Sequence, residues 1–172
     1  MKKAYLLFVL PLLFAFACDR NVNGPNEQLG EDYEIYNIVL IDDFSKEEAQ
    51  VLVVDSTSGD ALSEAQISNI IQSYPEIQME TLYNFNQRNM NPIAIKTIPN
   101  VNFVDYGSPN IVKGGKVLNI WLSQVGYNDS HTRAVVSVGT LSAPLVGAGY
   151  LVYLIKISSH WVIQDRFLLW IS

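Results

Sequence analysis

Cysteine is nearly absent from this chain of 172 residues, which contains one, Cys18. A single cysteine excludes an internal disulfide, so the chain has no disulfide framework. Basic residues are also few, because 11 lysines and arginines stand against 17 acidic residues. No run of Lys or Arg with interleaved aromatic residues occurs, and an acidic chain of this kind disfavours binding to nucleic acid.

The motifs of metal and nucleotide chemistry are missing as well. The two histidines, His131 and His160, belong to no HExxH motif and to no closely spaced Cys/His set. Gly114-Gly115-Lys116 lacks the rest of a P-loop, and Gly147-Ala148-Gly149 leads into a strand where a phosphate-binding loop leads into a helix. We therefore predict no cofactor and no metal site.

The one long apolar run stands at the start of the chain. Met1-Lys2-Lys3 precedes an apolar stretch from Ala4 to Ala17, which is the pattern of a bacterial export signal peptide. As a helix this stretch spans about 21 Å, short of the roughly 30 Å hydrocarbon core of a bilayer. The pattern favours a signal peptide that is removed over a transmembrane anchor.

Ala15-Phe16-Ala17-Cys18 resembles the lipobox of bacterial lipoproteins. The resemblance implies that Cys18 becomes the new N-terminus and carries lipid on its sulfur and on its amine. Ala15 and Phe16 depart from the leucine and the small residue usual at those positions, and a chance cysteine after an ordinary signal peptide is the alternative. The expected location is the bacterial cell envelope, lipid-anchored to a membrane whose leaflet stays open.

Three segments are predicted: a signal peptide over 1–17, a flexible tether over 18–30 and a single domain over 31–172. The tether is polar and turn-rich, without apolar periodicity. The domain has a length and an apolar content that suit one core. Neither an internal repeat nor a second domain is indicated.

Helical signals dominate the first half of the predicted domain. Ser63 and Gln66 form a capping box, and Pro75 ends the helix that they begin. The predicted elements are, in order, a helix over 32–44, for which a strand is a real alternative, a buried strand over 50–55, a helix over 63–75 and a short helix from 79 into the Asn-rich 84–91.

Strand signals dominate the second half, beginning with a strand over 116–125. Residues 133–139 are apolar on both faces and predict an internal strand. A loop of small residues over 142–149 then precedes a strand over 150–157 and a tight connection at Ser158-Ser159. A last strand follows over 160–170, with a bulge or a bend at Gln164-Asp165-Arg166. The fold class is α+β, with helices on one face of an antiparallel meander, an order shared with cystatin-like and NTF2-like folds.

Several stretches of the domain resemble a group of small exported bacterial proteins of unknown function. They are 33–40, 53–57, 80–82 before Asn89, 122–128, 132–136, Pro144-Leu145 with Gly147 and Gly149, 150–156, Trp161 and 170–172. Members of that group often carry cysteines flanking the Pro-Leu loop, where Ser142 and Val146 stand here. The resemblance implies no activity, substrate or cofactor.

Two functions are considered from the sequence. The first is a membrane-anchored, non-enzymatic domain that binds an envelope protein and presents an exposed apolar patch or an open sheet edge. The second is a hydrolase or small-ligand protein with a cavity between helices and sheet. Its candidate residues are Asp105, Asp129, His131, His160, Asp165 and Arg166.

Two further groups of residues have structural interpretations. Residues 128–133 bring a carboxylate, a hydroxyl and an imidazole together, but they are predicted to form a hairpin loop capped by Asn128 and Asp129. Trp121, Trp161 and Trp170 are predicted to fill the core and not to form a ligand cage.

Overall fold

The computed structural model describes residues 25–44, 50–59, 61–95, 98, 101–104, 117–143 and 146–172. The predicted signal peptide, Cys18, Asp105, Gly114-Gly115-Lys116 and Pro144-Leu145 lie outside this part. Its helices are α1 (Pro25–Phe44), α2 (Glu64–Ser73) and α3 (Met79–Arg88). Its strands are β1 (Gln50–Val54), β2 (Asn102–Val104), β3 (Val117–Leu122), β4 (Gly126–Tyr127), β5 (Arg133–Ala143), β6 (Val146–Ile157) and β7 (His160–Ile171). The fold is mixed α+β.

The sheet is mixed and not purely antiparallel. Its strand order is β2-β1-β3-β5-β6-β7, with β4 paired to β5 beyond the end of β3. Strand β1 pairs in parallel with both β2 and β3. Parallel neighbours need a crossover connection, and α2 and α3 lie in the chain between β1 and β3. The predicted antiparallel arrangement is therefore confined to β3 through β7.

The helices cover both faces of the sheet, whereas the sequence predicted one. Successive side chains of a strand point to opposite faces, so Val135 and Val136 of β5 belong to different cores. Val136 packs in one cluster with Ile35 and Val39 of α1. Val135 packs in a second cluster with α2 and α3, which includes Phe85. Strand β5 is buried from both sides, as its apolar sequence predicted.

Local signals placed the turns correctly. Ser158 and Ser159 join β6 to β7 with φ angles of 49° and 71°, the left-handed pair that a two-residue hairpin requires. The predicted bulge is also present, because the pairing with β6 passes from Ile163 to Asp165 and leaves Gln164 as the extra residue.

The helix ends agree less well with the prediction. The capping box of Ser63 and Gln66 starts α2, and the helix stops before Pro75. Helix α1, however, begins at Pro25 and so takes in residues 25–30, which were assigned to the tether. Proline suits this first position because its missing N–H has no partner in the first helical turn. None of the helices in the described ranges is sufficiently long and apolar to span a bilayer.

Candidate binding site

The indole ring of Trp170, near the end of edge strand β7, packs against glycines of the neighbouring strands. A Cβ atom added to Gly149 would stand 2.1 Å from the indole nitrogen of Trp170, so no other residue fits beneath the ring. The six-membered ring continues over Gly147 and reaches Gly139 of β5. A Cβ atom added to Gly147 would lie 3.4 Å from this ring, and one added to Gly139 would lie 3.5 Å from it. The indole therefore lies along the sheet, and its side chain remains 42 % exposed.

This placement corrects two predictions. Residues 147–149 were assigned to a loop, but they belong to β6 and pair with β5 and β7. Trp170 was assigned to the core together with Trp161, but only Trp161 is buried. Both differences have one cause, because glycines within a strand allow a large side chain from the neighbouring strand to lie flat across it.

A cleft of about 290 Å³ opens beside the Trp170 ring. Trp121 of β3 forms the opposite wall, and Gly139 lies between the two tryptophans. Ser137 and Leu141 of β5 continue the floor. Ser58 and Gly59 complete the described lining, so the cleft is built from strands and one loop, without a helix residue among those described.

The loop that carries Ser58 is held firmly against the sheet. The Ser58 N–H donates to the carbonyl of Leu122 at 2.8 Å. The buried neighbour Thr57 binds Ile93 twice, because its N–H donates to the Ile93 carbonyl and its hydroxyl accepts from the Ile93 N–H. These hydrogen bonds hold this wall of the cleft in place without a ligand.

Asn119 provides a buried polar group on the same face of the sheet. It is two residues before Trp121 on β3 and pairs across the sheet with Leu141, a cleft residue. Its side chain is 6 % exposed, and its oxygen Oδ1 has no hydrogen-bond partner. A buried acceptor without a donor carries a desolvation cost of about 1–3 kcal/mol.

A second polar cluster joins α1, α3 and β4. The Arg88 guanidinium donates to both carboxylate oxygens of Asp32, at 3.2 and 2.8 Å. The Tyr127 hydroxyl donates to the same carboxylate, and Arg88 also donates to the Val125 carbonyl at 2.7 Å. Burial raises the pKa of Asp32, and the guanidinium and the hydroxyl offset only part of that increase.

Glu31 extends this cluster toward the turn that precedes β5. The Lys156 ammonium donates to one Glu31 oxygen at 2.6 Å, and Nδ1 of His131 lies 3.0 Å from the other. The His131 ring also stacks on Tyr127, with ring centroids 4.7 Å apart. Burial favours the neutral form of Glu31, but its two basic partners outweigh that effect and lower its pKa.

Asp32 and Arg88 form a structural junction within this cluster. Asp32 is 1 % exposed, and Arg88 fixes both its oxygens, which leaves no carboxylate oxygen open to a substrate. Asn89, at the end of α3, accepts from the N–H of Gln124 and donates to its carbonyl, as a strand partner would. These contacts attach α1 and α3 to the strands.

Asp105 lies outside the described residues, and the structure does not assemble the other residues that the enzymatic hypothesis named. His131 pairs with Glu31, whereas His160 is exposed at the start of β7. Asp165 accepts from the main-chain N–H of Arg166, and the Arg166 side chain pairs with Asp42 of α1. Asp129 is exposed in the turn before β5, where Asn128 makes the capping hydrogen bonds as predicted.

None of these titratable residues lines the described part of the tryptophan cleft. No group of three or more His, Cys, Asp and Glu side chains suited to a metal ion occurs within the described ranges. No family model, curated protein or solved structure matches the chain.

Sequence reasoning missed the cleft, although a signal for it was present. Gly147 and Gly149 interrupt an otherwise β-forming stretch, and glycine weakens a strand unless a close approach requires it. Their alternate spacing places both on one face of the sheet. The identity of the side chain lying over them depends on strand pairing, which the glycines alone do not specify.

Proposed function

We propose that this protein is a non-enzymatic binding domain of the bacterial cell envelope, anchored to a membrane through a lipid on Cys18. The observation that carries the binding function is the tryptophan cleft. Its lining combines two indoles with glycines and hydroxyls, and no titratable residue is present in its described lining. Such a lining offers contact surface and hydrogen bonds but no general acid, base or nucleophile.

The edge strand beside the cleft favours contact with a second molecule. Trp170 is exposed on the cleft face of β7, and Leu168 and Ile171 expose large apolar side chains on its opposite face. Strand β7 is at the edge of the sheet, where main-chain groups are open to a partner. Exposed apolar residues next to an open edge support the expectation of an envelope partner.

The anchoring part of the proposal rests on the sequence at the start of the chain. A positively charged start, an apolar stretch and a cysteine after a small residue favour export followed by lipidation of Cys18. The likeness to cystatin-like and NTF2-like folds, and to the group of small exported proteins, stays a prediction from element order and from short stretches of sequence.

Photocrosslinking in intact source cells tests the binding function. Benzoylphenylalanine at Leu141, which lines the cleft, is compared with the same group at Tyr83, an exposed position on α3. Because benzophenone inserts into C–H bonds, it reports protein and glycan partners alike. A discrete adduct from position 141 and none from position 83 is expected, and adducts from both positions or from neither would contradict the proposal.

Anchoring is tested separately with Cys18→Ala. We expect wild type to incorporate labelled palmitate and to sediment with membranes, and the variant to lose both properties. A Cys18→Ala protein that remains in the membrane fraction would show that another element holds the protein there.

A further inference from the structure

We infer that the tryptophan cleft binds neutral oligosaccharides, with one pyranose ring stacked on the exposed face of Trp170. This inference rests on the proposed function and names the ligand class of the same site. One face of the indole covers the glycines of β6, and the other is left open. A pyranose presents a flat face of C–H groups, and these positively polarised hydrogens are attracted to the negative face of an aromatic ring.

The dimensions of the cleft suit a small part of a longer chain. Pockets that enclose drug-sized ligands usually measure about 300–1,000 Å³, so a volume of 290 Å³ is at the lower limit. A space of that size accommodates one sugar ring together with its hydroxyls. Because Trp170 is open to solvent, the neighbouring rings of an oligosaccharide extend past it.

The electrostatics of the cleft favour an uncharged ligand. The described lining holds neither a cation for a phosphate or a uronate nor a carboxylate for an amine. The chain as a whole carries a formal charge of −6, which repels polyanions. A neutral sugar meets no unpaired charge among the described residues of this lining.

The polar groups of the cleft also distinguish a sugar from a proline-rich peptide, which favours aromatic grooves too. The Ser58 and Ser137 hydroxyls, which line the cleft, both donate and accept. Proline nitrogens carry no hydrogen, so the main chain of a proline-rich segment offers these hydroxyls acceptors and no donors. Sugar hydroxyls surround each ring and supply donors in several directions.

The test is calorimetric titration of the full-length chain, purified in a polyoxyethylene detergent because sugar-based detergents would compete. The ligands are cellohexaose, chitohexaose, maltohexaose and glucose, together with a decaproline peptide. We expect at least one hexasaccharide to bind with Kd of about 1 mM or tighter and glucose to bind more weakly, since it contacts fewer groups. Equal binding of glucose and hexasaccharide would identify a free monosaccharide as the ligand and would overturn the oligosaccharide assignment.

Three variants place the binding in the cleft. Trp170→Ala removes the stacking surface and is expected to weaken binding about tenfold or more. Gly139→Val keeps both tryptophans and fills the floor, where an added Cβ is at an ordinary contact distance of 3.5 Å from Trp170. Trp161→Phe alters the tryptophan buried on the opposite face and should leave affinity unchanged.

The results separate this inference from the proposed function. If no hexasaccharide binds, or if Gly139→Val binds as wild type does, the oligosaccharide assignment is wrong. Binding of decaproline alone would overturn it in favour of a peptide ligand. A discrete photocrosslink from position 141 would still support the binding domain in any of these cases, whereas the absence of that adduct contradicts the binding domain itself.

Discussion

Replacement of Arg88 by methionine should strongly destabilise the protein at neutral pH. The substitution removes the cation that faces Asp32, whose side chain is 1 % exposed, and it leaves the carboxylate buried without a counter-charge. Breaking a buried ion pair in this way typically costs about 3–5 kcal/mol. Because a domain has roughly 5–15 kcal/mol of stability in total, the loss should be a large part of it.

The origin of this cost can be tested with Asp32→Asn in the same chain. If the cost comes from an unpaired charge, the double variant should recover much of the stability lost by Arg88→Met alone. Recovery should be incomplete, because methionine cannot donate to the Val125 carbonyl and a lost hydrogen bond costs about 1 kcal/mol. Urea unfolding of the four proteins gives the coupling energy of Arg88 and Asp32.

The pH dependence supplies an independent test. Burial raises the pKa of Asp32 in the folded protein, and the raised value means that the folded state favours the protonated acid. The stability gained from protonated Asp32 is fully present below the unfolded pKa and is lost as pH rises through the folded pKa. Removal of Arg88 should raise the folded pKa further, so the penalty should be smaller at acidic pH than at pH 7.

An exposed ion pair in the same protein is the matched control. Arg166 of β7 also pairs with a carboxylate of α1, Asp42, but these two side chains are 33 % and 61 % exposed. Arg166→Met should therefore cost about 1 kcal/mol or less. A similar cost for both arginines, or a penalty for Arg88→Met that does not change with pH, would refute the argument from burial.

Three further substitutions test other contacts by urea unfolding. Ser63→Ala removes the capping box of α2 and should cost about 1 kcal/mol, whereas a cost near zero would mean that the cap adds nothing. Gly126→Ala should cost about 1–3 kcal/mol, because the added Cβ would stand 2.4 Å from that of Phe85. Its control, Gly30→Ala, meets no atom within 4 Å in α1 and should stabilise by about 0.5–1 kcal/mol, so the two changes must differ in sign. Glu31→Gln should reduce the loss of stability below pH 4.5. The pKa of this carboxyl is lowered in the folded protein, so its contribution to stability is present above the unfolded pKa and is lost as pH falls through the folded pKa. An unchanged acid profile would show that its lysine and histidine partners contribute little.

The candidate site shows where sequence reasoning stopped. The apolar run of β5 predicted a strand buried on both faces, because that property belongs to the strand itself. The exposed position of Trp170 was not predicted, since tryptophan is buried in most proteins and its surroundings depend on the register of β6 against β7. The burial of Asn119 was not predicted either, because it follows from neighbours on two other strands.

By itself the sequence determined the local features of this protein. The capping box at Ser63, the turn at Ser158-Ser159 and the bulge at Gln164 depend on residues that are close in the chain, and their conformations follow from short-range sterics and hydrogen bonds. Only the tertiary structure decided the parallel pairing of β1, the distribution of helices over both faces and the cleft beside Trp170. These features join segments far apart in the chain, and their energies come from packing and pairing that no local pattern contains.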